Sequence, residues 1–210
     1  LLLNGLTPEE QNLFYELVGH LREAGDLDLD DLWKVDYVKR PPTMEEFLEE
    51  DYWLAAIARK SEESEGVFPV WKEILCRDFN LDSRLHNTVI TGSLGVGKSF
   101  VTALIFAYRL AQACLLRNPQ AFLGLSKGSM VYYVMLSVTR AQVTETIFGD
   151  ILNLMGNCPF FQEECGYDPK KKYAGMNVPL GRNIFLTAGS QSQHIVGRNT
   201  LGVAMDEGNW

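Results

Sequence analysis

The fold is decided by Gly92-Ser93-Leu94-Gly95-Val96-Gly97-Lys98-Ser99, which follows the pattern G-x-x-x-x-G-K-S. In this pattern the glycines let backbone N–H groups curl around a phosphate chain. The flanking residues support that interpretation. Residues 86–91 are a run of β-formers and predict a buried strand, whereas residues 100–116 lack Gly and Pro and predict a helix. The sequence thus predicts the strand, glycine-rich loop and helix that a phosphate-binding loop requires.

We expect this P-loop to bind the phosphates of ATP. The start of the following helix adds partial positive charge, which favours an anion. Lys98 can reach the β- and γ-phosphates, and the Ser99 hydroxyl can take a coordination position on Mg²⁺. The predicted nucleotide-binding residues are Gly92, Ser93, Leu94, Gly95, Val96, Gly97, Lys98 and Ser99.

A second part of the site is predicted near the end of the chain. Residues 200–205 read as a buried apolar strand that ends in Asp206-Glu207, which resembles a Walker B element. Ligands of open α/β sheets bind at the carboxyl ends of the strands, so Asp206 and Lys98 can face one nucleotide. Asp206 is expected to hold Mg²⁺ and Glu207 to act as general base. A strand that merely runs into an acidic turn is the alternative.

Composition and charge narrow the class of protein. The chain has 210 residues, of which 46% are hydrophobic, enough for one sizeable core. The net charge of −8 argues against a generally basic nucleic-acid binder, but it leaves room for a local basic patch. No apolar run has the length of a membrane span. The four cysteines are scattered, so zinc is not predicted.

The predicted fold class is α/β, a P-loop NTPase of the ASCE type with a mainly parallel sheet flanked by helices. Residues 1–66 are predicted to form a small helical region and linker, with capping boxes at Thr7 and Thr43. Residues 67–210 are predicted to form the ATPase domain, with further strands at 130–136 and 183–188 and a helix after Thr139. Since the chain stops three residues after the acidic pair, the sheet is expected to be unfinished.

Several further side chains have two readings. Trp71 or Phe68 can stack on the adenine or belong to the core. Arg182 and Arg198 are candidates for a charge-stabilising arginine, acting in cis or on a neighbouring subunit. The lysines at 170–172 can touch a phosphate backbone or form a solvated turn.

Several stretches together resemble the N-terminal ATPase part of the large terminase subunit of tailed bacteriophages. The similarity covers most of the chain from about residue 40 onward. Its most specific part is the serine-rich loop at 189–198 that leads into Met205-Asp206-Glu207. The other matching stretches are residues 41–54, 67–71, 92–99, 137–139 and 158–161.

This resemblance implies an ATP-driven motor that docks on the portal protein of a procapsid and pumps double-stranded DNA into it. It also implies a small terminase subunit as a partner, a homo-oligomeric ring when active, and a location in the cytoplasm of the infected host cell. Some terminases carry an arginine inside the P-loop, whereas residues 93–96 contain none. The family's sensor motif and nuclease domain would lie beyond Trp210, so this chain alone is not expected to cut DNA.

Two other functions fit the same residues. A DNA helicase or another DNA-remodelling ATPase carries the same P-loop and Asp-Glu pair. A nucleotide-gated docking module would bind ATP without turning it over by itself.

Overall fold

The structure, a computed structural model, describes residues 33–59, 66–81, 83, 85–93, 95–137, 147–173, 177–189 and 197–205. Near the N-terminus it describes five single positions, all helical, where the sequence predicts the first helix: Glu9, Asn12, Tyr15, Glu16 and Gly19. The predicted caps at Thr7 and Thr139 lie outside the described residues.

The described ranges contain helices on both sides of the P-loop. They are α1 (Met44–Glu49), α2 (Ala55–Ala58), α3 (Pro69–Asp78), α4 (Lys98–Leu115), α5 (Pro119–Phe122), α6 (Ile147–Gly156) and α7 (Pro159–Glu163). The capping box at Thr43 is confirmed. The backbone N–H of Glu46 donates to Thr43 Oγ1 at 3.1 Å, and the backbone N–H of Thr43 donates to Glu46 Oε2 at 2.7 Å.

Four strands form one mixed sheet. They are β1 (Val131–Leu136), β2 (Asn177–Leu180), β3 (Ile184–Gly189) and β4 (Asn199–Met205), in the order β2-β3-β1-β4. β1 pairs in parallel with both β3 and β4, and β2 pairs antiparallel with β3. A mostly parallel sheet flanked by helices confirms the predicted α/β class.

The strand predicted at residues 86–91 was wrong. This segment has no regular secondary structure, and Val89 is 84% exposed. A strand is stabilised by hydrogen bonds and side-chain contacts to a neighbour, so β-forming residues alone do not make one. Among the described strands, none pairs with this segment.

β4 was predicted correctly as a strand but wrongly as a buried one. It forms the edge of the described sheet, and three of its apolar side chains are 38–56% exposed: Leu201, Val203 and Met205. Only Ala204 of this strand is buried. Residues 200–205 look like a core strand in sequence because apolar content does not say whether both neighbours are present.

α4 packs against the sheet and forms the centre of the core. Phe106 meets Tyr133 of β1 edge-to-face, with ring centroids 5.3 Å apart, and the Tyr133 hydroxyl donates to Arg109 O at 3.1 Å. On its other side, α4 packs against α1, where Phe47 and Tyr108 have ring centroids 5.2 Å apart. One apolar core therefore joins residues on both sides of position 66.

The close approach of β4 to β1 requires glycine at position 202. A Cβ atom there would lie 2.7 Å from the Tyr133 ring, which Phe106 and the hydrogen bond to Arg109 hold in place. We predict that Gly202→Ala lowers the free energy of unfolding by about 1–3 kcal/mol, since the core must shift to admit a methyl group. Chemical denaturation measures this change.

Gly128→Ala is the matched control. A Cβ at Gly128 meets nothing within 4 Å, so its effect should stay within about 0.5 kcal/mol. Equal stability of the two variants would contradict the close packing of β4 on β1.

Candidate nucleotide-binding site

The P-loop lies at the start of α4. Gly95 and Gly97 have φ angles of 82° and 80°, in the left-handed region that favours glycine, and Gly97 is the N-cap of α4. No side chain caps the helix, and its first turn contains no acidic residue. Within the described residues, the backbone N–H groups of this turn have no side-chain cap, and the turn itself carries no carboxylate, which suits an anion such as phosphate. Leu94 lies outside the described residues.

Lys98 folds back over the loop that precedes it. Its ammonium donates to Gly92 O at 2.9 Å and to Ser93 O at 2.8 Å. An ammonium has three N–H donors, so two carbonyls do not exhaust it. The side chain is thus held over the loop that is expected to hold the phosphates, and its charge lies beside the start of α4.

Trp71 of α3 contacts the same loop. Its indole N–H donates to Val96 O at 2.7 Å. The ring is half-buried against the core, and a Cβ at Gly97 would lie 4.0 Å from the indole nitrogen. In this structure Trp71 therefore acts as a brace between α3 and the P-loop. Stacking of Trp71 or the exposed Phe68 on an adenine stays a prediction.

α4 lies antiparallel to β1, β3 and β4, which fixes the edge of the sheet on which the P-loop lies. The far end of α4 is at the amino edge of the strands, because Arg182, two residues before β3, donates to Cys114 O and Leu116 O. The helix has 18 residues and is therefore about 27 Å long. Lys98 accordingly lies at the opposite, carboxyl edge.

The predicted acidic pair follows a strand that ends at this same edge. Leu136 of β1 is in register with Gly189 of β3 and with Met205 of β4, so the three parallel strands end together. Asp206 and Glu207 come next in the sequence, although they lie outside the described residues. The structure thus places the P-loop and the end of β4 at one edge.

Arg182 lies at the end of α4 that is distant from the P-loop, and its role as a charge-stabilising arginine stays a prediction. Its guanidinium is bound to the carbonyls of Cys114 and Leu116 at the C-terminal end of α4. That end is separated from Lys98 by the length of the helix. Arg182 therefore caps α4, a role that no local sequence signal reveals, because its partners are 66 and 68 residues away.

The role of Arg198 as a charge-stabilising arginine also stays a prediction. Arg198 immediately precedes β4, and its guanidinium lies 4.7 Å from the centroid of the Tyr132 ring. This is the amino edge of the parallel strands, about 20 Å from the carboxyl edge for a strand of this length. Action of Arg198 on a neighbouring subunit stays a prediction.

Lysine side chains also line a cavity that lies outside the P-loop. This cavity of about 550 Å³ lies between α6 and residues 167–173, and Lys171 and Lys172 contribute to its wall. Tyr167 and Tyr173 stack there with an interplanar angle of 14°. No P-loop residue lines this cavity. Contact of the lysines at 170–172 with a phosphate backbone stays a prediction.

The cysteine thiols contribute to packing. Cys114, Cys158 and Cys165 are buried, and burial raises the pKa of Cys158 to about 12. A hydrogen bond with Cys165 and burial raise the pKa of Cys114 well above its ordinary value. These two thiols therefore stay protonated near neutral pH. In the described part of the chain, no three His, Cys, Asp or Glu side chains cluster in a way that could hold a metal ion.

A family model described as the N-terminal P-loop domain of the uncharacterized protein MJ0330 matches residues 21–209. No curated protein matches the chain, and neither does any solved structure. Within the residues that the structure describes, no helix combines the length and apolar character needed to cross a membrane.

The brace between α3 and the P-loop can be tested by Trp71→Phe. This change keeps most of the ring but removes the N–H that donates to Val96 O. We predict that ATP binds about 2- to 10-fold more weakly, since one hydrogen bond that orders the loop is lost. Isothermal titration calorimetry with ATP and Mg²⁺ measures the dissociation constant.

Trp33→Phe provides the control, because in the described part of the chain the Trp33 indole makes no hydrogen bond to the P-loop. An unchanged dissociation constant in Trp71→Phe would mean that the loop holds its shape without α3.

Proposed function

Because this chain belongs to the family of the N-terminal P-loop domain of the uncharacterized protein MJ0330, it is a P-loop domain, and we propose that it hydrolyses ATP as the motor module of a viral terminase. The ATPase proposal rests on one observation, which is that the P-loop and the end of β4 lie at the same edge of the sheet. The start of α4, which contains Lys98 and has no side-chain cap, lies at the sheet edge where β4 ends, and β4 ends one residue before Asp206 in the sequence.

The residues at this edge fit a Mg²⁺–nucleotide complex. The first turn of α4 offers N–H groups without a competing carboxylate, and Ser99 and Asp206 supply the hard oxygen atoms that Mg²⁺ prefers. When bound, Mg²⁺ would neutralise phosphate charge. The P-loop amides bind and orient the phosphates, and the Lys98 ammonium bonds to the β- and γ-phosphate oxygens.

Glu207 is the proposed general base. Its carboxylate takes a proton from the attacking water as the water oxygen bonds to the γ-phosphorus. The bond from that phosphorus to the β–γ bridging oxygen breaks, and ADP leaves with the electron pair. Lys98 stabilises the negative charge that builds on the leaving oxygen, which makes its ammonium useful in both binding and turnover.

The terminase assignment rests on the resemblance of residues 41–54, 67–71, 189–198 and 205–207. We propose double-stranded DNA as the substrate that is moved, and the portal protein and small terminase subunit as partners, with several copies forming a ring in the host cytoplasm. Since the net charge is −8, DNA contact requires a local basic patch. The lysines at 170–172 are the candidates.

The catalytic base is tested by Glu207→Gln, which keeps size and polarity but cannot take the proton. We predict that ATP turnover falls about 100-fold or more, while the dissociation constant for ATP changes little. A phosphate-release assay measures turnover with double-stranded DNA present. Glu163→Gln, an exposed change on α7, should turn over like the wild type. Unchanged turnover in Glu207→Gln would contradict the mechanism.

The motor assignment predicts that double-stranded DNA stimulates ATP turnover and that the protein binds portal without separating DNA strands. A strand-separation assay with a fluorescent duplex distinguishes this from a helicase. Strand separation that depends on ATP would favour the helicase function and contradict the packaging motor. ATP binding without turnover, even with DNA and portal present, would instead favour a docking module.

A further inference from the structure

Ser137 is the residue that directly follows β1. It is 1% exposed, and its hydroxyl oxygen is buried without a hydrogen-bond partner among the residues that the structure describes. Leaving a buried hydroxyl unpartnered costs free energy, so such groups are rare in folded proteins. A hydroxyl in this condition suggests that its partner belongs to another state of the protein.

The location of Ser137 indicates which state that is. β1 is flanked on both sides by parallel strands, and Ser137 lies at the carboxyl edge where all three end. In open α/β sheets this edge is where ligands bind. The P-loop and Lys98 lie at the same edge, because α4 runs antiparallel to the strands.

Of the two neighbouring strands, only β4 is followed directly by carboxylates, whereas β3 is followed by Ser190 and Gln191, whose neutral oxygens are weaker acceptors. β3 ends in Gly189, which has no side chain and whose carbonyl accepts the backbone N–H of Ser137 at 3.4 Å. β4 ends in Met205 and is followed by Asp206-Glu207. Adjacent strands lie about 4.8 Å apart, a separation that a serine hydroxyl and a carboxylate can bridge.

We propose that Ser137 is a positioning residue for the ATPase site, and that its hydroxyl donates a hydrogen bond to a carboxylate of the Asp206-Glu207 pair when Mg²⁺ and ATP are bound. This inference rests on the proposed function. The hydrogen bond would fix the direction of the acidic pair toward the metal and the attacking water. The unpartnered hydroxyl then lowers the stability of the nucleotide-free fold, and the hydrogen bond that it forms with ATP bound raises activity.

The test uses Ser137→Ala and three readouts: kcat, the KM for ATP, and Tm without nucleotide. We expect kcat to fall about 10- to 100-fold, as for a lost hydrogen bond to a charged group, and KM to change less than about threefold. Tm should stay the same or rise by up to about 4 °C, because no bond is lost in the nucleotide-free protein. Ser137→Thr, which keeps the hydroxyl, should have a kcat at least about fivefold above that of Ser137→Ala.

Ser83→Ala is the matched control. The Ser83 hydroxyl donates to Asp78 O at 2.6 Å, so its removal should lower Tm while leaving kcat unchanged. A fall in Tm of the same size in Ser137→Ala would overturn the proposal, because the hydroxyl would already have a partner. A kcat of Ser137→Ala within about twofold of the wild type would overturn it as well.

Two further comparisons distinguish a contact with the acidic pair from a contact with phosphate, and a failure of this inference from a failure of the proposed function. If Ser137→Ala binds a non-hydrolysable ATP analogue about tenfold more weakly, the hydroxyl contacts phosphate and the assignment to the acidic pair is overturned; unchanged binding supports that assignment. Wild-type turnover no faster than that of Lys98→Ala would overturn the proposed function and this inference together. An active wild type with an equally active Ser137→Ala would overturn this inference alone.

Discussion

The candidate site depends on the packing of α4 antiparallel to the strands. Buried side chains line most of this helix, among them Leu104 and Leu110, both fully buried. Each such side chain contributes about 2 kcal/mol of hydrophobic stabilisation. Because Arg182 binds the last carbonyls of α4 at the amino edge of the sheet, the first turn must lie at the carboxyl edge. The phosphate-binding amides and the end of β4 meet there as a result of core packing.

A series of contacts connects the P-loop to the helices that precede it. The hydrogen bond of Trp71 joins the loop to α3. Lys72 of α3 pairs with Glu49 of α1, and this hydrogen-bonded ammonium lowers the pKa of Glu49. Exposed ion pairs of this kind contribute little free energy, so the apolar contacts of Leu75 and Phe47 hold the two helices in place. α1 and α3 thereby support the loop as well as precede it.

Local signals were read correctly from the sequence. The capping box at Thr43 and the strands β1 and β3 depend on neighbouring residues, and each is present. β2 was not predicted; it contains Pro179, which an edge strand tolerates. The succession of α4, β1, β3 and β4 along the chain was also predicted from the hydrophobic pattern alone.

The failures all involve partners that are distant in sequence. Residues 86–91 have β-forming side chains but no described strand beside them. The contacts of Arg182 and Arg198 were also missed, because they are made with Cys114, Leu116 and Tyr132. The brace formed by Trp71 joins residues 25 positions apart. Sequence spacing alone could not have revealed these contacts.

The central claim is that the start of α4 binds a nucleotide through Lys98 at the carboxyl edge of the sheet. Isothermal titration calorimetry of the nucleotide-free protein with ADP and Mg²⁺, beside Lys98→Ala, tests it most directly. We predict a dissociation constant on the order of micromolar for the wild type. Loss of the charge-assisted hydrogen bonds should weaken it about 10- to 100-fold in the variant. Equal affinities, or no binding to the wild type, would contradict a nucleotide site at this P-loop.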